Sequence, residues 1–103
     1  MAERERERAA EEMRRQRAAK LSALGIEQNM DEIWQQAQAI LRERGRWSVA
    51  MALSYLKDIE NGRALLLVPG PLKIRLVPGQ EEIARALTEV AGEPLRLVMH
   101  EMP

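Results

Sequence analysis

The stretch Lys57-Asp-Ile-Glu-Asn-Gly-Arg-Ala-Leu-Leu-Leu-Val68 marks the place where the hydrophobic pattern of the chain changes. Before it, apolar residues recur at helical spacing, and within it they alternate or follow one another without interruption. Asn61-Gly62 is a preferred residue pair for a two-residue type I′ turn, because both positions of that turn have positive φ. The stretch therefore predicts a β-hairpin with one strand over 57–60 and another over 63–68.

Two helical patterns precede this hairpin. Residues 31–44 carry a one-sided apolar stripe that includes Trp34, and Asn29 stands where a residue that caps the helix start is expected. Ser48 occupies the same kind of position before a second apolar pattern over 49–57. The sequence therefore predicts two helices on the N-terminal side of the hairpin.

The region after the hairpin contains one further helical pattern and one further strand pattern. Residues 80–91 predict a helix with acidic residues in its first turn, where they interact favourably with the helix dipole. Residues 95–100 alternate between apolar and polar side chains and predict a last strand.

Residues 71–77 lie between two copies of the tripeptide Val-Pro-Gly. Within them Leu72, Ile74 and Leu76 alternate with basic residues, which is the period of a strand. The prolines that bracket the segment suit the ends of a strand better than the interior of a helix. This local pattern predicts an added strand whose basic side chains face away from the core.

Together these patterns predict an α+β fold. Two N-terminal helices, a β-hairpin or short meander, one more helix and a final strand would pack as helices on a small sheet, within a domain that covers 30–103. Residues 1–29 differ, because 1–20 are almost entirely Glu, Arg, Ala, Gln and Lys and hold no apolar stripe. They are predicted to form a charged helical arm or linker in solvent.

The composition excludes several classes of protein. The chain of 103 residues has no Cys, which removes disulfide scaffolds and thiolate metal sites, and no apolar run is long enough for a membrane span. Its 16 basic and 16 acidic residues give a net charge of zero, so no bulk attraction to nucleic acid is expected. We expect a cytoplasmic protein without membrane contact.

No catalytic constellation is visible in the sequence. His100 is the only histidine, whereas a general base needs an oriented partner and a metal site needs several ligands, so we expect an exposed residue at a strand end. Gly70-Pro71 does not have the spacing of a phosphate-binding loop. The sequence therefore predicts a protein that is not an enzyme and that holds no metal and no cofactor.

Two groups of residues are candidates for binding. Trp47, Met51 and Tyr55 would lie on the two-helix layer, where Met and aromatic side chains make adaptable protein contacts. Four basic residues would share the outer face of the sheet as a candidate site for single-stranded nucleic acid: Arg63, Lys73, Arg75 and Arg96. The alternatives are a core position for the tryptophan and an ordinary solvated face for the basic residues.

The segments 31–41, 62–70 and 83–98 resemble the N-terminal domain of the bacterial replication initiator DnaA. The shared features are a Trp in the first helix, here Trp34, a strand that runs into a Pro-Gly corner, and a helix followed by Gly and a final strand. The C-terminal domain of the polymerase III tau subunit is similar and has the same KH-like α+β fold. The resemblance covers about residues 30–100.

This resemblance implies a non-catalytic protein-interaction module of the type associated with DNA replication. Domains of this family self-associate or bind a replicative helicase or a polymerase component, and they contact single-stranded DNA weakly. For this chain the resemblance implies a homodimer or a complex with one of these proteins. The resemblance places Trp34 in or near the core and implies a short helical turn, not a strand, over 71–77. The alternative function is a nucleic-acid-binding module that uses the basic sheet face and the Arg-rich arm.

Overall fold

The computed structural model of the protein describes residues 2–103 and has the α+β fold that the sequence predicts. Its helices are α1 (Ala2–Leu24), α2 (Gln28–Glu43), α3 (Val49–Ala52), α4 (Lys73–Leu76) and α5 (Gln80–Ala91). Its strands are β1 (Tyr55–Glu60), β2 (Arg63–Val68) and β3 (Arg96–Glu101). Short 3₁₀ turns, Gly70–Leu72 and Val77–Gly79, flank α4.

The three strands form one mixed sheet in the order β1-β2-β3. β1 and β2 are antiparallel, and the predicted turn between them is confirmed, since Asn61 and Gly62 have φ of 52° and 72°. β3 runs parallel to β2, starting from Arg96 opposite Arg63. A parallel neighbour needs a crossover connection, and the segment that contains α4 and α5 provides it.

The core lies between one face of the sheet and the helices α2 and α5. Trp34 is 0% exposed, and its Nε1–H donates a hydrogen bond of 3.0 Å to the carbonyl of Ser54, which confirms the predicted core position. The other large apolar side chains that are completely buried are Leu41, Leu56, Leu66, Val68, Leu76, Ile83 and Leu87. Where α2 approaches α5 at the surface, Arg44 donates to Glu89 and lowers the pKa of that carboxyl.

The start of α2 differs from the sequence prediction, whereas its end lies at a glycine that the sequence makes visible. The helix begins at Gln28 after Glu27, so the prediction that Asn29 caps its start is wrong. At the other end, Gly45 has a φ of 68°, and its N–H bonds to a carbonyl of the last turn. Glycine adopts this left-handed conformation without a steric penalty, so Gly45 is suited to end the helix.

The helix α3 is much shorter than the predicted helix over 49–57. The hydroxyl of Ser54 donates to a carbonyl of α3, and the indole of Trp34 binds the Ser54 carbonyl. Ser54 is held in this way just before β1 begins. Leu56 therefore enters the core as a residue of strand β1 and not as a residue of a helix. A tertiary hydrogen bond has therefore overridden the local apolar pattern.

The prediction of an added strand over 71–77 is wrong, because this segment forms one turn of α-helix between two 3₁₀ turns. Both sides of β2 are already paired, with β1 and β3. Pro71 and Pro78 each stand at the start of a 3₁₀ turn, where a missing N–H costs no hydrogen bond. Leu76 is buried and Ile74 is exposed, so the apolar residues of the alternating pattern do not share one side of the segment.

The predicted arm is the helix α1, and its last turns contact the domain. Leu21 is buried against Leu67 of β2, and the ammonium of Lys57 donates to the carbonyls of Leu24 (2.7 Å) and Gly25 (2.9 Å). A cation at this end of a helix also interacts favourably with the helix dipole. The expectation of an arm that lies wholly in solvent is therefore wrong for its C-terminal turns.

Arg17 makes the second attachment of α1. Its guanidinium donates two hydrogen bonds, of 3.0 and 2.6 Å, to the carboxylate of Asp31, and its Cζ lies 4.5 Å from the ring centre of Tyr55. Asp31 is only 5% exposed. A carboxylate in such a position is costly without a partner, so this ion pair makes α1 part of the domain.

Replacing Arg17 with Ala is expected to lower the free energy of unfolding by about 1–3 kcal/mol, because Asp31 then keeps its charge without a partner. Urea unfolding followed by tryptophan fluorescence measures the change. Arg15→Ala is the matched control, because Arg15 makes only a 3.9 Å contact with Glu11 on the exposed side of α1. This control is expected to change stability by less than about 0.5 kcal/mol.

Equal effects of the two substitutions would contradict this role of Arg17. In an Asp31→Asn background the buried charge is absent, so Arg17→Ala should cost clearly less there than in the unaltered chain.

Candidate interaction surfaces

The outer face of the sheet, opposite the core, is half covered. Strand register places Tyr55 and Leu67 side by side on this face, and the last turns of α1 pack against them. At the other end, Glu60, Arg63 and Arg96 are neighbours on adjacent strands. The open half of the face therefore carries charges of both signs.

A shallow depression of about 280 Å³ lies on this open half. Its floor is formed by Leu65 and Val98, and its rim includes Asp58, Arg63 and His100. The histidine is exposed near the end of β3, as predicted, and lies beside an apolar residue of β2. Opposite charges around an apolar floor do not create the strong field of one sign that phosphate binding requires.

The four basic residues predicted for the outer face do not come together. Arg63 and Arg96 are partners in the strand register, whereas Lys73 and Arg75 lie on α4, away from the sheet. The prediction of one basic sheet face is wrong because it depended on a strand over 71–77.

The residues Trp47, Met51 and Tyr55 also do not form one surface. Met51 is 4% exposed and packs in the core, so its prediction as a surface contact is wrong. Trp47 is partly buried before α3, and Tyr55 lies on the outer sheet face beneath Arg17. Each aromatic residue consequently belongs to a different surface.

Trp47 is fixed from two sides. Its Nε1–H donates a hydrogen bond of 3.0 Å to the side-chain oxygen of Gln38, and the Cζ of Arg42 lies 4.5 Å from its ring centre. Gln38 is only 1% exposed, so this bond satisfies a buried amide. The indole forms one wall of a groove of about 400 Å³ that extends to Arg75 of α4.

Three large apolar side chains are exposed near this groove: Val49 (64%), Ile74 (76%) and Val77 (50%). They belong to α3 and to the segment of α4, two short helices that contact each other and bury Met51 and Leu76 on their inner sides. We name these three residues the α3–α4 surface. The sequence pattern placed Val49 on the inner side of a longer helix and Ile74 on the inner side of a strand. Both are exposed, because α3 ends after one turn and residues 73–76 form a helix.

None of the helices in residues 2–103 combines the length and the apolar character needed to cross a membrane. Among the same residues, no three His, Asp or Glu side chains are grouped so that they could hold a metal ion. No family model matches this chain, and a search of curated proteins gives no match. The geometry of the surfaces is therefore the basis for a functional proposal.

Trp47→Phe is expected to destabilise the fold by about 1–3 kcal/mol, because the buried side chain of Gln38 loses its hydrogen-bond partner. Thermal and urea unfolding measure this change. Tyr55→Phe is the control, since it also removes one polar atom from a partly buried aromatic residue. This control is expected to change the free energy of unfolding by less than about 0.5 kcal/mol. A neutral Trp47→Phe substitution would contradict the structural role of the indole N–H.

Proposed function

We propose that this chain is a non-catalytic protein-interaction module of the type associated with DNA replication, and that it binds its partner through the α3–α4 surface. The observation that carries the proposal is the exposure of Val49 on α3, of Ile74 on α4 and of Val77 on the 3₁₀ turn that follows α4. Exposed apolar patches on the surface of a small domain are typical of protein-binding sites.

The groove beside this surface supports the proposal. Trp47 is held rigidly by Gln38 and Arg42, so it presents aromatic area to a partner with little loss of side-chain freedom. Tryptophan and arginine are also the residues that most often dominate binding energy at interfaces. Arg75, on the opposite wall, adds a charge that fixes the orientation of a partner.

The resemblance of residues 30–100 to the N-terminal domain of DnaA and to the C-terminal domain of tau supplies the class of partner. A replicative helicase, a polymerase component or a second copy of this chain would cover the α3–α4 surface. The complex would form in the cytoplasm. The order of helix pair, hairpin, helix and parallel strand in this α+β fold supports the proposal. A catalytic role has no comparable support among the surfaces of residues 2–103.

Ile74→Glu is expected to weaken binding to the replication partner by at least about tenfold, since a charge would be placed against an apolar contact. Binding to the purified helicase and polymerase III components of the same organism is measured by calorimetry, and self-association by sedimentation. Arg15→Glu, on the exposed side of α1, is the matched control. Because the contact is mainly apolar, the affinity should change little between low and moderate salt.

A strict monomer that binds none of these proteins would refute the proposal. Tight binding of a single-stranded oligonucleotide that weakens steeply with salt and with Arg63→Glu would instead favour the nucleic-acid-binding alternative.

A further inference from the structure

A second groove, of about 480 Å³, runs between the middle of α1 and the junction of α3 with β1. Its apolar part is formed by Met13, which is 70% exposed, Leu53, which is 48% exposed, and the partly buried ring of Tyr55. This groove is separate from the α3–α4 surface. We name it the arm groove.

The polar lining of the arm groove has one sign of charge. Arg14, Arg17 and Lys20 line it, and no acidic residue among residues 2–103 does. In a chain with 16 basic and 16 acidic residues, this local excess is a property of the groove and not of the composition. Arg17 is paired with Asp31, whereas Arg14 and Lys20 form no ion pair within residues 2–103.

The walls of the groove are held in place before any ligand binds. α1 is attached by the bidentate Arg17–Asp31 pair, by Leu21 and by the bonds from Lys57 to its last carbonyls. Tyr55 belongs to β1, and Arg17 lies over its ring. Such prior order lowers the entropy cost of binding, which favours a specific ligand over diffuse attraction.

The chemistry of the groove selects the kind of ligand. Met13 and Leu53 need an apolar side chain to cover them, which a phosphate backbone does not supply. Arg14 and Lys20 need carboxylates, at a spacing of six residues along the same helix. An acidic peptide segment with a bulky apolar residue satisfies both requirements.

We propose that the arm groove binds an acidic segment of a partner protein. A Leu, Ile or Phe side chain of that segment packs against Met13 and Leu53, and flanking Asp or Glu carboxylates pair with Arg14 and Lys20. This proposal concerns a different surface from the α3–α4 surface, so either can fail without the other.

The test uses the full chain and a fluorescein-labelled 16-residue synthetic peptide with Leu or Phe one helical turn apart and Glu at the flanking positions. Fluorescence anisotropy at low salt is expected to give saturable binding. The same peptide with Lys in place of Glu is expected to bind at least tenfold more weakly. A peptide with Ser in place of the apolar residues should also lose at least tenfold, because the contacts to Met13 and Leu53 are lost.

Variants of the protein locate the binding. Met13→Glu and Lys20→Glu change exposed positions, and circular dichroism checks that each variant is folded. Each should weaken the acidic peptide at least tenfold. Arg15→Glu makes a comparable charge change on the other side of α1 and should leave binding within about twofold, as should Ile74→Glu on the α3–α4 surface.

Three outcomes would overturn the proposal. The first is no binding of the acidic peptide, and the second is equal weakening by Arg15→Glu and Lys20→Glu. The third is a single-stranded oligonucleotide of the same charge that binds more tightly than the peptide and responds to Met13→Glu and Lys20→Glu in the same way.

Discussion

The hydrogen bond from the indole of Trp34 to the carbonyl of Ser54 sets the geometry on which both candidate surfaces depend. Both residues are fully buried, so either group without the other would be left unsatisfied away from water. The bond joins α2 to the chain between the end of α3 and the start of β1. Leu56 then enters the core from the sheet, while Val49 and Leu53 remain outside, one on each surface.

The parts of the fold that follow from local chemistry could be predicted from the sequence. Asn61-Gly62 specifies its turn through the backbone alone, and the stripes of α2 and α5 need only one buried side. The segment 71–77 could not be predicted in the same way, because its alternation fits both a strand and a single helical turn. In the structure β3 pairs with the remaining side of β2, and the segment packs as a short helix against α3.

The candidate sites were harder to predict than the fold, because they depend on element types and tertiary contacts that local patterns do not specify. The basic sheet face required Lys73 and Arg75 to be on a strand, so one wrong element removed half of it. The docking of α1 could not be predicted, because it rests on isolated contacts that have no sequence period: the pair of Arg17 and Asp31, the buried Leu21 and the bonds from Lys57. The arm groove exists only as a consequence of that attachment.

The parallel pairing of β2 with β3 also has a consequence for how the chain folds. The β1–β2 hairpin joins neighbours in the sequence and is expected to close in about 1–10 μs, whereas β3 is separated from β2 by the crossover through α4 and α5 and is expected to pair later. Until then β2, which contains Leu65-Leu-Leu-Val68, has an unpaired edge. An open apolar edge is a template for association with other chains. The rate of the crossover, not that of the hairpin, therefore determines how long each newly folding molecule is exposed to aggregation.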